Sequence, residues 1–250
     1  MNDTFQLIAL TLTGGVASIV GAGLIIMLRD RAHSLSQKLT GFAAGVLISV
    51  GILDLLTESF EHATEAKEIS YFVLMGILFV FLLEKSGLWF HHHDGEHGKR
   101  KSIAGILLGD MLHNFVDGFA VGATFLISKE AGIATAIAVA LHELPKEMAD
   151  FAIYLRAGYS NLKTLFLNLI SSVVAVVGGL VAYGQAEWVE SNESRLLAVT
   201  AGMFIFIALA DLIPEMHEEI EKQKQKRVKL AWILVFVLGL GVGVISSQAH

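Results

Sequence analysis

The chain has 250 residues, of which 54 % are hydrophobic and 17 % charged, with a formal net charge of −6 and no cysteine. The charges lie between long apolar runs, which identifies an all-α integral membrane protein and leaves no room for a separate soluble domain. The missing cysteines exclude thiolate metal ligands and disulfides, and no nucleic-acid partner is expected.

Eight stretches meet the ~20-residue criterion for a transmembrane helix: 5–28, 39–60, 69–90, 102–126, 132–155, 162–185, 195–217 and 229–248. The first begins within five residues of Met1 without a basic segment before it, so it reads as a retained helix rather than a cleaved signal peptide. With the N-terminus outside, fourteen of the eighteen Lys and Arg residues fall in inner loops, Lys67, Lys129 and Arg195 fall outside, and Lys146 lies within a span. The positive-inside rule then makes both termini extracytoplasmic, in a plasma or inner membrane. The outer loops are acidic, with Glu58, Glu61, Glu65 and Glu68 after the second span and Glu187, Glu190 and Glu193 before the seventh. Ordinary solvated charge explains them better than a steering funnel does.

The second and seventh spans resemble each other. Ala44-Gly45, Asp54-Leu55 and Glu58 recur at a constant offset of 157 as Ala201-Gly202, Asp211-Leu212 and Glu215. Three spans before the central pair and three after it make a 3+2+3 arrangement, in which spans 1–3 and 6–8 cross in opposite directions as an inverted repeat. Asp54 and Glu58 then stand toward the outer entrance, and Asp211 and Glu215 toward the inner exit. Between the third and fourth spans, the inner loop 91–101 holds His91, His92, His93 and His97. Its composition suits weak metal binding and equally a polar turn of no consequence. The two prolines, Pro145 and Pro214, each remove a backbone donor beside acidic groups, freeing the carbonyls of Leu141 and Ala210.

The fourth and fifth spans carry the chemistry. As helices of about 25 residues at ~1.5 Å rise, they place His113 and His142 near the bilayer midplane. Asp110, His113, Asn114 and Asp117 follow i, i+3, i+4, i+7 spacing on the fourth; on the fifth Glu143, Glu147 and Asp150 do so, flanked by His142 and Lys146. Each ionisable group at that depth costs at least ~2.5–3.5 kcal/mol on insertion scales, which implies a use. Imidazoles with carboxylates suit zinc, iron and manganese. Lys146 has no lone pair to offer while charged. It is expected to balance the charge of Glu143, Glu147 and Asp150, either as a structural pair with Asp150 or in place of a second metal.

A metal transporter accounts for both imidazoles and carboxylates. The alternative is an intramembrane zinc-dependent hydrolase. His142-Glu143-Leu144-Pro145-Lys146 lacks the second His of a His-Glu-x-x-His helix, however, and Pro145 interrupts its regularity. A proton-coupled carrier would explain the carboxylates and not the histidines.

His113-Asn114-Phe115-Val116-Asp117-Gly118, followed by His142-Glu143-Leu144-Pro145-Lys146-Glu147, resembles the paired signature of the ZIP (Zrt/Irt-like) metal transporters, closest to the branch reading His-Glu-x-Pro-His-Glu. The eight spans, the outside termini, the His-rich loop and Ala210-Asp211-Leu212-Ile213-Pro214-Glu215 agree with it. The resemblance implies entry of Zn²⁺, or of Fe²⁺ or Mn²⁺, into the cytoplasm as transported substrate, with no enzymatic activity and no resident cofactor. It further implies an elevator, in which spans one, four, five and six carry the site past a scaffold of the others, and a homodimer as a frequent assembly. On this reading His113, Asp117, His142 and Glu143 form the primary site, with Asn114 and Asp110 as further ligands or supports. The chain departs from the family pattern at two places: Lys146 stands where that branch has His and other members a Glu bridging two metals, and Asp54-Leu55-Leu56-Thr57-Glu58 where many members have His-Leu-Leu-Pro-Glu.

Overall fold

The computed structural model describes residues 3–28, 32–63, 65–85, 103–223 and 226–248. The loop 91–101, with His91, His92, His93 and His97, lies outside the described residues. Every described apolar run is helical. In chain order the helices are α1 (Asp3–Thr11), α2 (Thr13–Leu28), α3 (Ala32–Ser49), α4 (Leu56–Glu61), α5 (Ala66–Lys85), α6 (Ile103–Ile127), α7 (Lys129–Arg156), α8 (Asn161–Gly184), α9 (Ala186–Ser191), α10 (Glu193–Phe206), α11 (Ile213–Gln223) and α12 (Lys226–Ser247). No strand occurs among the described residues. Two wider π-helical turns, Val50–Leu55 and Ile207–Leu212, join α3 to α4 and α10 to α11 without a break.

Local chemistry sets the ends. Ser128 Oγ accepts from the backbone N–H of Ala131 at 3.2 Å and so caps α7, and Ser160 Oγ accepts from that of Lys163 at 3.4 Å to open α8. Gly158, at φ 92°, turns the chain out of α7 in the left-handed region that a side chain resists. Helix continues past the apolar run of the seventh span to Gln223, because the Glu and Lys residues there are good helix formers.

Five stretches are long and apolar enough to cross a membrane by length and composition: Asp3–Leu28, Leu35–Glu61, Ala66–Leu83, Asn161–Gly184 and Glu193–Glu218. Leu230–Ile245 is a shorter apolar helix, and α6 and α7, which bear the ionisable residues, are not among the five. Polarity runs inside out. Asp110, His113, Asp117, His142, Glu143, Glu147 and Asp150 are buried, whereas Leu74, Leu78, Leu162, Phe166, Leu234 and Leu238 are exposed on α5, α8 and α12. Water would reverse that distribution, and lipid favours it.

The helices pack as two groups. One holds α1, α2, α6, α7 and α8, the other α3, α4, α5, α10, α11 and α12, and they meet chiefly where α3 lies along α7. Leu47, Val50, Ala134, Ala138, Phe204 and Ile207 belong to the main apolar core. Small residues let backbones touch. Gly21 packs against Leu144 and Met148 of α7, and Gly178 against the backbone of Phe115 and Phe119 of α6. Gly45 abuts Phe236 and Leu240 of α12, and Gly202 abuts Val73 of α5. Both pairs of glycines, and both π-helical turns, stand 157 residues apart. The repeat visible between two spans therefore extends to the π turns and to helix contacts.

Candidate metal site between α6 and α7

At mid-length on α6 and α7 four side chains converge. His113 Nε2 lies 2.8 Å from Glu143 Oε1, 3.2 Å from His142 Nε2 and 3.4 Å from Asp117 Oδ2. His142 Nε2 lies 3.1 Å from Asp117 Oδ2 and 3.7 Å from Glu143 Oε1. All four residues are buried, and one donor atom from each lies within 4.8 Å of the rest. A tetrahedral zinc with bonds of ~2.0–2.1 Å holds its ligand atoms about 3.3 Å apart, so separations of 2.8 to 3.7 Å already match such a shell.

The ring of His142 is set for ligation. Its Nδ1 lies 3.1 Å from the carbonyl of Ala138. A carbonyl only accepts, so Nδ1 carries a proton there and Nε2 is the nitrogen that faces the cluster. Asp117 Oδ1 and Glu143 Oε2 are buried without a hydrogen-bond partner among the described residues, a costly state that a bound cation would relieve.

Pro145 stands within α7 next to this cluster. Ser36 Oγ of α3 donates to its carbonyl at 3.3 Å.

The remaining expected residues sort by position. Asn114 Nδ2 donates to the Asp110 carbonyl at 3.0 Å and to Asp110 Oδ1 at 3.2 Å, so the pair supports each other. Lys146 Nζ donates to Asp110 Oδ1 at 2.6 Å and to Glu143 Oε1 at 2.9 Å. Its partners thus include a carboxylate on the facing helix, which spacing along α7 alone does not reveal. Glu147 Oε1 accepts from Ser172 Oγ at 3.1 Å, and Asp150 is buried further along α7.

Asp54 and Asp211 sit on the two π-helical turns, each only 6 % exposed. A wider turn re-aims the side chains after it and is frequent at functional sites. Asp54 and Glu58 line a cavity of about 540 Å³ together with Thr57, Glu61, Ser128 and Glu130. Glu215 is exposed. In the first copy, Thr57 Oγ1 donates to the Ile52 carbonyl at 3.2 Å, whereas the second has Pro214 at the matching place.

Sequence reasoning missed the support from α2 and α8. Ser18 and Ser172 share a hydrogen bond of 2.7 Å, Ser172 Oγ also meets the Asn168 carbonyl at 2.9 Å, and Asn168 Nδ2 donates to the Glu147 carbonyl at 3.2 Å. The signal in the sequence is the set of small polar residues of α8, Thr164, Asn168, Ser171 and Ser172, all buried.

Residues 91–249 match the family model described as ZIP Zinc transporter. Zinc transporter ZIP4 of Homo sapiens is 49 % identical over 111 residues, 44 % of this chain and 17 % of that protein. Zinc transporter ZIP10 of Homo sapiens is 41 % identical over 128 residues, 50 % of this chain and 15 % of that protein. Zinc transporter ZIP13 of Pongo abelii is 34 % identical over 214 residues, 77 % of this chain and 62 % of that protein. The chain thus spans about a sixth of the length of ZIP4 and ZIP10.

Proposed function

The chain belongs to the ZIP zinc transporter family, and from that premise we propose that it carries Zn²⁺, or Fe²⁺ or Mn²⁺, across a membrane into the cytoplasm. The observation that carries this reading is the set of four buried donor atoms on His113, Asp117, His142 and Glu143, in which each histidine Nε2 lies 2.8 to 3.7 Å from the other three. Imidazole and carboxylate suit those metals, and a lipid-enclosed cluster of ionisable groups marks an ion pathway. Asp110 and Asn114 hold the cluster from one side, and Glu147 and Asp150 continue the acidic lining. Asp54 with Glu58 would receive the ion, and Asp211 with Glu215 would release it.

The transport cycle we propose is alternating access by an elevator, with α1, α2, α6, α7 and α8 moving past the other group. Eight crossings in a 3+2+3 inverted repeat, both termini extracytoplasmic and a homodimer complete this reading. The 157-residue recurrence of the π turns and glycine contacts supports the repeat. The hydrolase alternative gains no observation in its favour.

The test is zinc uptake into vesicles reconstituted with the purified protein. His113→Ala and His142→Ala should each lower uptake by at least tenfold, since a ligand lost from a shell costs more than the 10–100-fold typical of its supporting partners. Uptake at the parent rate in both variants would remove these histidines from the pathway.

A further inference from the structure

The four-donor cluster leaves a neighbouring group of carboxylates unaccounted for. Asp110, Glu143 and Glu147 each bring an oxygen within 4.8 Å of the others, and all three are buried. Among the described residues, Glu143 Oε2 and Glu147 Oε2 have no hydrogen-bond partner. Three carboxylates so close repel one another unless a proton or another cation stands among them. Lys146 supplies one, its Nζ lying 2.6 Å from Asp110 Oδ1 and 2.9 Å from Glu143 Oε1. Glu143 Oε1 is shared, being also 2.8 Å from His113 Nε2.

All-oxygen sets of this kind bind hard divalent cations. An ammonium reaches two of these carboxylates, Asp110 and Glu143, with a single charge, donates without accepting, and is tied to its helix beside Glu147. We propose that Lys146 is a tethered counter-cation filling what would otherwise be a second divalent-cation site of Asp110, Glu143 and Glu147. The chain consequently holds one metal ion in its membrane core. Removing the ammonium while keeping the carboxylates opens the second site. The inference rests on the transport reading for the first ion alone.

The closing experiment measures bound metal by elemental analysis on purified, monodisperse full-length chain equilibrated with Mn²⁺ or Zn²⁺ and freed of excess ion. Lys146→Gln should bind one equivalent more than the parent, and Lys146→Arg, which keeps the cation, should bind no more. Adding His113→Ala and His142→Ala to Lys146→Gln should remove the first ion and leave the additional one. Unchanged stoichiometry in folded Lys146→Gln overturns the proposal. Stoichiometry that ignores the histidine variants instead overturns the transport site, and the Lys146 comparison still stands. Should Lys146→Gln yield no monodisperse protein, the Mn²⁺-loaded parent decides by electron paramagnetic resonance: uncoupled Mn²⁺ supports the proposal, and a spin-coupled pair overturns it.

Discussion

The crossing of α6 and α8 sets the position of Asp117, and Gly118→Ala tests that dependence. A methyl added at Gly118 would land on the carbonyl of Ala175 and 2.6 Å from its Cα, where ordinary contact needs at least 3.4 Å, so α8 must retreat by more than the ~0.8 Å that the Cα alone requires. The obstacle is backbone and cannot rotate aside. Overpacking costs ~1–3 kcal/mol even when side chains adjust, so the upper end, ~3 kcal/mol, applies here. Alanine's better helix propensity returns ~1 kcal/mol, leaving a net loss of about 2 kcal/mol. Gly23→Ala meets nothing within 4 Å and should stabilise by ~0.5–1 kcal/mol. Thermal unfolding of the detergent-purified variants, read by loss of monodisperse protein, should lower the midpoint for Gly118→Ala and raise it for Gly23→Ala. Zinc affinity should fall with the former, because Asp117 Oδ2 must stay about where it now stands, 3.1 Å from His142 Nε2. Trimming the partner side chain with Ala175→Gly should not rescue Gly118→Ala. Equal midpoints for the two glycine variants, or such a rescue, would refute the backbone-contact argument.

Two further outcomes follow from the path and its support. Asp54→Asn and Asp211→Asn keep side-chain size and remove charge; each should slow zinc uptake, the former chiefly by raising KM, and parent-like saturation curves from both would leave the repeated carboxylates without a transport role. Ser172→Ala takes the donor from buried Glu147 Oε1 and should cost ~1–3 kcal/mol of stability. Ser171→Ala loses a bond within its own helix to the Asn168 carbonyl and should cost less, an order that chemical denaturation of the two variants checks.

How much of this was legible in sequence depended on whether the information was local. His113, Asp117, His142 and Glu143 stood out because midbilayer charge is rare and helical spacing put them on facing stripes. The offset of 157 between spans was legible as matching letters at Ala44-Gly45 and Ala201-Gly202. The π-helical turns beneath Asp54 and Asp211 were not, since Val50–Leu55 and Ile207–Leu212 read as ordinary apolar helix. Tertiary packing selects that extra residue per turn. Lys146 shows the same limit: along α7 its neighbours are Glu143, Glu147 and Asp150, but the 2.6 Å contact is to Asp110 on α6. Ser18 and Ser172 lie 154 residues apart, and a lone serine in an apolar helix carries no mark of its partner.

The placement of polar bonds bears on whether the site can travel as a unit. Within the group that carries it, Ser18 joins Ser172, Ser172 and Asn168 hold Glu147, and Lys146 ties α7 to α6. Such bonds, buried away from water, are costly to leave unmade. Across the seam to α3 and α10 the contacts are largely apolar, with Leu47, Val50, Ala138, Phe204 and Ile207 in one cluster, and Ser36 donating to the Pro145 carbonyl at a long 3.3 Å. Apolar contact is non-directional, so a slide that exchanges one such contact for another forfeits little. A cavity of about 320 Å³, lined by Phe79, Phe115, Phe119, Ala123 and Met203, opens between the two groups where α6 faces α5 and α10 and leaves side chains room to repack. The α6–α8 crossing, closed by backbone contact at Gly118 and Gly178, offers no comparable slack. Relative motion should therefore divide at the α3–α7 seam and leave His113, Asp117, His142 and Glu143 together.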